Sequence, residues 1–430
     1  MMRVPSTIFF DKNDHQLLEI VNDILERGKE SQALRSLLSP YMHPNGIKEM
    51  AAVLGLRIAY AVARLLGSLE TGKAHDRINA LASLRDEVLL SSSSTYYRKN
   101  TARVLLQIMK ELLRAGENRV AQLKLAHDFR LILTGTPRIV RAGLARYHLL
   151  EMPEQWNHYA FDDHVHDANT KGRKSPTHLV MDAWIKGIRH LTVVYYNYVT
   201  PEIAEELMEA SAILDVQVQI GIEMSARFRD KYIRFTWEPH GFKDKDSLLK
   251  FLREDSTRKL MTEGRAVSHY QQTYVFEALE AFNNGHRHHF NAEFGLLIDT
   301  LSRDHFISFV GTGQPSLFHL ARFIYNQIQD RVKERIRDLQ KELESQQIGD
   351  QREKELRKQI AKLHAIHVET IIDAYLLPAR NPKIHDPTCP ADSEQLPARL
   401  KLSPTALLKK LDSLHTVSNY SLNLSNLTRQ

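Results

Sequence analysis

Between residues 155 and 320, short apolar runs alternate with segments of helical periodicity, and this constrains the fold of the 430-residue chain more than any other feature. The runs are HYAFDDHVH, HLTVVYYNYV, VQVQIGIEMS, KYIRFTWE and HFISFVGTG. Between the first of them lie SPTHLVMDAWIKG and TPEIAEELMEASAILD. Strands separated by helices predict βαβ units and a parallel sheet, because a crossover helix is the usual route between parallel strands. Ser175-Pro176 predicts a helix start with proline in the first turn, and Gly187 its end.

The flanks read differently. Residues 1–150 carry helical periodicity. In DHQLLEIVNDILERG the apolar positions are Leu17, Leu18, Ile20, Val21, Ile24 and Leu25, with Asp14 as the expected cap and Gly28 as the expected stop. GIKEMAAVLGLRIAYAVARLLGSL is apolar on most sides and predicts a buried helix, and TARVLLQIMKELLRAG repeats the pattern. No catalytic constellation stands out, so this region is expected to be a helical domain serving as scaffold or interaction surface. Residues 151–320 form the α/β region. Residues 321–376 are dense in Glu, Lys and Arg at near-heptad apolar spacing, which predicts a peripheral helical hairpin or coiled coil turning at Gly349. Residues 377–430 are rich in Pro, Asn and Ser, with SPTALLKKLDSL as the one expected helix.

Composition removes several classes. A chain that is 43% hydrophobic and 26% charged buries an ordinary globular core. One cysteine, Cys389, excludes a disulfide framework within the chain and a cysteine-rich zinc site. Residues 1–20 lack a signal-peptide pattern, and no run reaches the roughly 18 apolar residues of a membrane span, so a cytoplasmic protein without membrane contact is expected. The net charge of +6, from 58 basic and 52 acidic residues, permits a polyanionic partner such as nucleic acid or a phosphorylated small molecule.

The chemistry concentrates at FDDHVHDANTKGRKSP, residues 161–176. On a strand, His164 and His166 project to one face. Neutral imidazole is a common ligand of zinc and similar metals. The stretch resembles the polymerase and histidinol phosphatase (PHP) family. Asp162-Asp163-His164-Val165-His166 looks like its opening Asp-x-His-x-His motif. Gly172, Ser175-Pro176, Leu179-Val180, Ala183, Lys186-Gly187-Ile188 and Leu191 follow in matching order, and Gly221-Ile222-Glu223 looks like its Gly-Ile-Glu motif. The likeness covers about 75 residues, 160–235. It implies a distorted α/β barrel of PHP type with a metal cluster at the C-terminal strand ends, and hydrolysis of phosphate esters; fewer than seven strands are legible, which leaves open a barrel that is incomplete or interrupted by the charged helical hairpin. Three positions depart from the family: Lys171 stands for an acidic residue, Val194-Tyr195-Tyr196 for Thr-Asp-His, and Arg234 for a histidine. Fixed cations repel a metal.

Three readings of the site remain open. One divalent metal, zinc or manganese, sits on His164, His166 and Glu223, with His240 as a fourth ligand or acid/base, giving a metal-dependent hydrolase of phosphate esters, nucleotides and nucleic acid included. Alternatively, Lys171 and Arg234 bind a phosphate group directly. In the third reading the barrel is a catalytically inactive scaffold, its helical regions serving a protein partner or self-association. Elsewhere, FVGTGQPSLFHLARF reads as a tight turn without the lysine of a P-loop, and NNGHRHHFNAEFG as an exposed histidine-rich loop.

Overall fold

The computed structural model describes residues 10–27, 54–70, 72–92, 95, 97–116, 118–152, 160–311, 313–344, 349–387, 389–390 and 396–423. Gly28 and the first residues of GIKEMAAVLGLRIAYAVARLLGSL lie outside them. The chain forms two compact units, each assembled from separate stretches. One takes Met1–Val165, Lys174–Val193 and Glu202–Gln219; the other takes His166–Arg173, Val194–Pro201 and Ile220–Gln430.

The first unit is mainly helical: α1 (Lys12–Arg27), α2 (Leu54–Ser68), α3 (Ala74–Ser91), α4 (Arg98–Arg114), α5 (Arg119–Leu133) and α6 (Pro137–Arg146). The cap of α1 is Asp11 rather than Asp14. Its carboxylate accepts from the N–H groups of Asn13 and Asp14 at 2.8 and 3.0 Å, while Asp14 is fully buried and accepts from Arg130 at 2.6 Å. Helix α4 is buried on most sides through Val104, Leu105, Ile108, Met109 and Leu112. Its fully buried Arg103 donates to the carbonyls of Trp184 and Ile185 at 3.1 and 2.9 Å. Those carbonyls end α7 (Pro176–Lys186), so the guanidinium satisfies groups that a helix C-terminus leaves unpaired. Helix α7 starts as expected, with Ser175 accepting from the His178 N–H at 3.2 Å and Pro176 in the first turn, and stops at Gly187 with φ +92°.

The sheet has five strands: β1 (Phe161–Val165), β2 (His190–Tyr196), β3 (Gln217–Phe228), β4 (Lys231–His240) and β5 (Val417–Asn423), in that order. Strands β1 and β2 are parallel, with α7 as their crossover; α8 (Pro201–Leu214) joins β2 to β3. From there the expected pattern fails. Strands β3 and β4 form an antiparallel hairpin, turned at Arg229 with φ +58°. Strand β5 comes from the C-terminal region, where no strand was expected, and pairs antiparallel with β4. Among the described residues the five strands form an open sheet, and a barrel, which the sequence left open to being incomplete or interrupted, is not shown.

Beyond β4 the second unit is helical apart from β5: α9 (Lys245–Arg253), α10 (Asp255–Ala281), a π-helical turn (Phe282–His286), α11 (Arg287–Phe294), α12 (Arg303–Val310), α13 (Leu317–Glu344), α14 (Asp350–His364), α15 (Val368–Ile371) and α16 (Pro404–Asp412). The run HFISFV, expected as a strand, is most of α12. Ser302 accepts from the His305 N–H at 3.4 Å, Gly311 closes the helix at φ +67°, and Phe306 packs on Phe323 with ring centroids 5.6 Å apart. The charged hairpin α13–α14 is not part of the sheet, but it is more than an appendage. Leu320, Ile324, Ile328, Leu339, Leu356 and Leu363 join Phe282, Phe290 and Phe306 in one helical core. Its charged residues occupy the opposite face, as one apolar stripe requires. No helix among the described residues is long and apolar enough to cross a membrane.

Candidate functional site

The loop that follows β1, residues 166–173, is organised by Asp167, which is fully buried. One carboxylate oxygen accepts from the Asn169 N–H at 2.8 Å, the other from the Tyr195 hydroxyl at 2.6 Å. The Asp167 carbonyl accepts from the N–H groups of Thr170 and Gly172 at 3.2 and 2.8 Å. A Cβ at Gly172 would stand 2.2 Å from the His166 carbonyl oxygen, so only glycine fits there. The loop presents exposed Lys171, whose ammonium lies 5.6 Å from the centre of the Tyr196 ring. Gly313 is seated against the same loop: a Cβ would meet the carbonyl oxygens of Ala168 and Thr170 at 2.6 and 3.1 Å. Gln314 donates to the Tyr196 carbonyl at 3.2 Å. Gly313 and Gln314 thus buttress the loop and the end of β2.

Tyr196, at the end of β2, is the meeting point. The His166 ring lies 4.9 Å away, centroid to centroid. His166 Nδ1 is 2.7 Å from the Val194 carbonyl, which can only accept, so Nδ1 is the donor of this bond. Glu223, on β3, is buried. In the antiparallel register Glu223 faces Thr236 and Ser225 faces Arg234, so Arg234 sits diagonally across from Glu223 on one face of the sheet. Its guanidinium is 3.5 Å from the Glu223 carboxylate, and Asn423 of β5 donates to the other carboxylate oxygen at 3.3 Å. Burial, with the Glu223 charge adding to it and Arg234 opposing, holds the Tyr196 hydroxyl far above its usual pKa. Tyr196 is therefore an O–H donor at any working pH.

Of the residues singled out from the sequence, the structure gathers His166, Lys171, Glu223 and Arg234 around Tyr196. It does not assemble the expected three-ligand metal site: among the described residues no group of three His, Cys, Asp or Glu side chains is placed to hold a metal ion. Two physical reasons are visible. Strand β1 carries a register irregularity between Asp162, opposite Leu191, and Val165, opposite Val193, and it ends before His166, so the alternation expected to pair His164 with His166 is broken. Glu223 already has a guanidinium and an amide on its carboxylate. His240 is also elsewhere. It lies along β4 from Thr236 on the side away from Arg234, roughly 13 Å from the level of Glu223 at the usual strand rise. The cluster His286, His288 and His289 lies on the π-helical turn and α11 rather than on a loop, with His286 bonded to Asn381 at 3.0 Å. Asp167 and Asn423 are not among the residues singled out from the sequence, and Tyr195 stands there only as a departure from the family's pattern. Asp167 was hidden by the histidines beside it, and nothing in the local sequence links Asn423 to a site some 200 residues earlier.

No known protein-family profile matches the chain. No curated protein matches it in sequence either. A search of solved structures finds a protein from Bifidobacterium adolescentis provisionally described as a metal-dependent phosphoesterase, at a TM-score of 0.31 and 11% identity. The alignment covers 60% of this chain and 65% of that one. A likeness at this level leaves the activity to be argued from the residues themselves.

Proposed function

We propose that this chain binds the phosphate group of an ester at the C-terminal end of β2, using Lys171 and Arg234 as the cations and the Tyr196 hydroxyl as a donor. The carrying observation is that Arg234 stands 3.5 Å from Glu223, the carboxylate a metal would need. The Arg234 guanidinium therefore occupies the side of the carboxylate that a metal ion would approach. With the Lys171 ammonium 5.6 Å from the centre of the Tyr196 ring, the positive charge that the resembled family draws from metal ions comes in this reading from side chains. Charge-assisted bonds from Arg and Lys are the usual means of holding a phosphate. The PHP-like design is in this reading a phosphate-binding version of a phosphoesterase site.

A second reading has one observation in its favour. His166 Nδ1 donates to a backbone carbonyl, the orienting bond that metal-ligating histidines commonly make. A single zinc or manganese on His164, His166 and Glu223, displacing Arg234 from the carboxylate, would supply a Lewis acid for ester hydrolysis.

Calorimetry with inorganic phosphate and phenyl phosphate, run with and without a chelator, separates the two. The first reading expects binding that ignores the chelator, no turnover, and a loss of about tenfold in affinity for Lys171→Ala or Arg234→Ala, one charge-assisted bond each. It also expects metal content to rise in the double variant Lys171→Asp, Arg234→His. Chelator-sensitive hydrolysis by the unaltered chain would establish the second reading, and no phosphate affinity at all would leave the scaffold.

A further inference from the structure

We infer that Arg399, in the C-terminal segment, is the positioning residue of the Tyr196 site, acting through Asn197. The inference rests on the phosphate-binding reading for its functional consequence but not for its geometry.

Asn197 follows Tyr196 directly and holds φ +64°, a left-handed conformation that asparagine tolerates better than most residues. Its backbone N–H donates to the Glu223 carbonyl at 2.8 Å, so the same residue fixes the end of β2 and the height of Glu223 on β3. Every other polar group of Asn197 is also engaged. Its side-chain amide donates to Ser268 and Gln271 at 3.1 and 3.0 Å. Its backbone carbonyl accepts from Arg399 Nη1 at 2.8 Å, and its side-chain oxygen accepts from Nη2. One guanidinium thus grips both oxygens of the left-handed residue, a bidentate geometry that lysine cannot reproduce. Arg399 is 1% exposed. A Cβ at Gly264 of α10 would stand 2.1 Å from the Asn197 carbonyl oxygen and 2.6 Å from Arg399 Nη1, so the packing around the pair leaves no slack. The segment that carries Arg399 is tied down independently: Leu400 is fully buried beside Val267 and Leu396, and the Leu402 carbonyl accepts from the Arg227 N–H at 2.9 Å.

A buried cation this far along the chain has no other evident task. Among the described residues no carboxylate forms an ion pair with it, Glu263 acting only through its charge; its hydrogen bonds go to the two oxygens of Asn197. Freeing Asn197 would let Tyr196, its direct neighbour, turn away from the His166 ring and the Lys171 ammonium that now lie against it.

The test is a double-mutant cycle in the full chain with a fluorotyrosine placed at position 196. The variants are Arg399→Met, Asn197→Gly and both together, with Arg399→Lys as the conservative control. Glycine holds positive φ without help, so it removes the need for the guanidinium grip. We expect Arg399→Met to shift the fluorine resonance and to weaken binding of inorganic phosphate about tenfold, the order of one lost charge-assisted bond. Arg399→Lys should fail to restore either. In the Asn197→Gly background the Arg399→Met change should move neither signal, because the two residues act as one unit. If Arg399→Met does not fold, the double variant and the lysine variant still decide. An unmoved fluorine resonance in Arg399→Met or Arg399→Lys, or additive effects in the cycle, would overturn the inference while leaving phosphate binding intact. Absence of phosphate binding in the unaltered chain would overturn the functional reading, and the fluorine cycle would still judge the positioning claim.

Discussion

Single residues set the electrostatics of the site, and His319 shows how one buried group can make that setting depend on pH. His319 is buried at the start of α13, with Nδ1 3.1 Å from both the Gln314 carbonyl and the Ser316 hydroxyl. Burial lowers its pKa below the ordinary imidazole value of 6.5, against a smaller opposing pull from the Gln314 carbonyl. The folded state therefore prefers the neutral ring more than the unfolded chain does. Stability from this group is fully present above the unfolded pKa and is lost as pH falls through the folded one. Urea midpoints measured at pH 8 and pH 5 should differ, and His319→Gln should remove part of the difference. An identical pH dependence in the variant would refute this. The same segment carries Gln314, which holds the Tyr196 carbonyl, so acid should also loosen the site from this side.

Elements in this chain are ended by particular residues, and Gly187 gives the sharpest case. It closes α7 at φ +92°, and a Cβ there would stand 2.8 Å from Arg103 Nη2 and 2.9 Å from Leu150 Cβ. Gly187→Ala combines left-handed strain of about 1–2 kcal/mol with that overlap, so a loss of at least ~2 kcal/mol is expected by chemical denaturation. A change within 0.5 kcal/mol would mean that the α7 terminus and Arg103 are less tightly fitted than they stand here. The helix starts were readable for the same local reason as this stop: Ser175-Pro176 and Ser403-Pro404 both cap as the sequence indicates. Strand against helix was harder. HFISFV has the apolar density of a strand, but Phe306, Phe309 and Val310 share a helical face, and Ser302 supplies the cap.

At the scale of the molecule, each unit is built from stretches far apart in the chain, so a cut near one end should be felt at the site. Removing residues 397–430 takes away Arg399, the buried Leu400, Leu407 and Leu411, and strand β5 with Asn423. It also uncovers Trp237, which is fully buried and donates to Ser418 at 2.8 Å. We expect a red-shifted tryptophan emission and a loss above ~3 kcal/mol, the scale of one large core deletion. Unchanged emission would show that β5 does not cover β4 in solution. What the sequence determined by itself was local. Helical periodicity, Ser-Pro caps, the stop at Gly187 and the residue types at 164, 166, 171, 223 and 234 follow from neighbours a few positions away. The tertiary structure decided the rest. Whether β4 ran parallel or antiparallel, whether the sheet closed, and which cation reached Glu223 depended on register across strands and on a segment some 200 residues later. Hydrophobic pattern states which face a residue takes, but it carries no information about which distant strand will lie beside it.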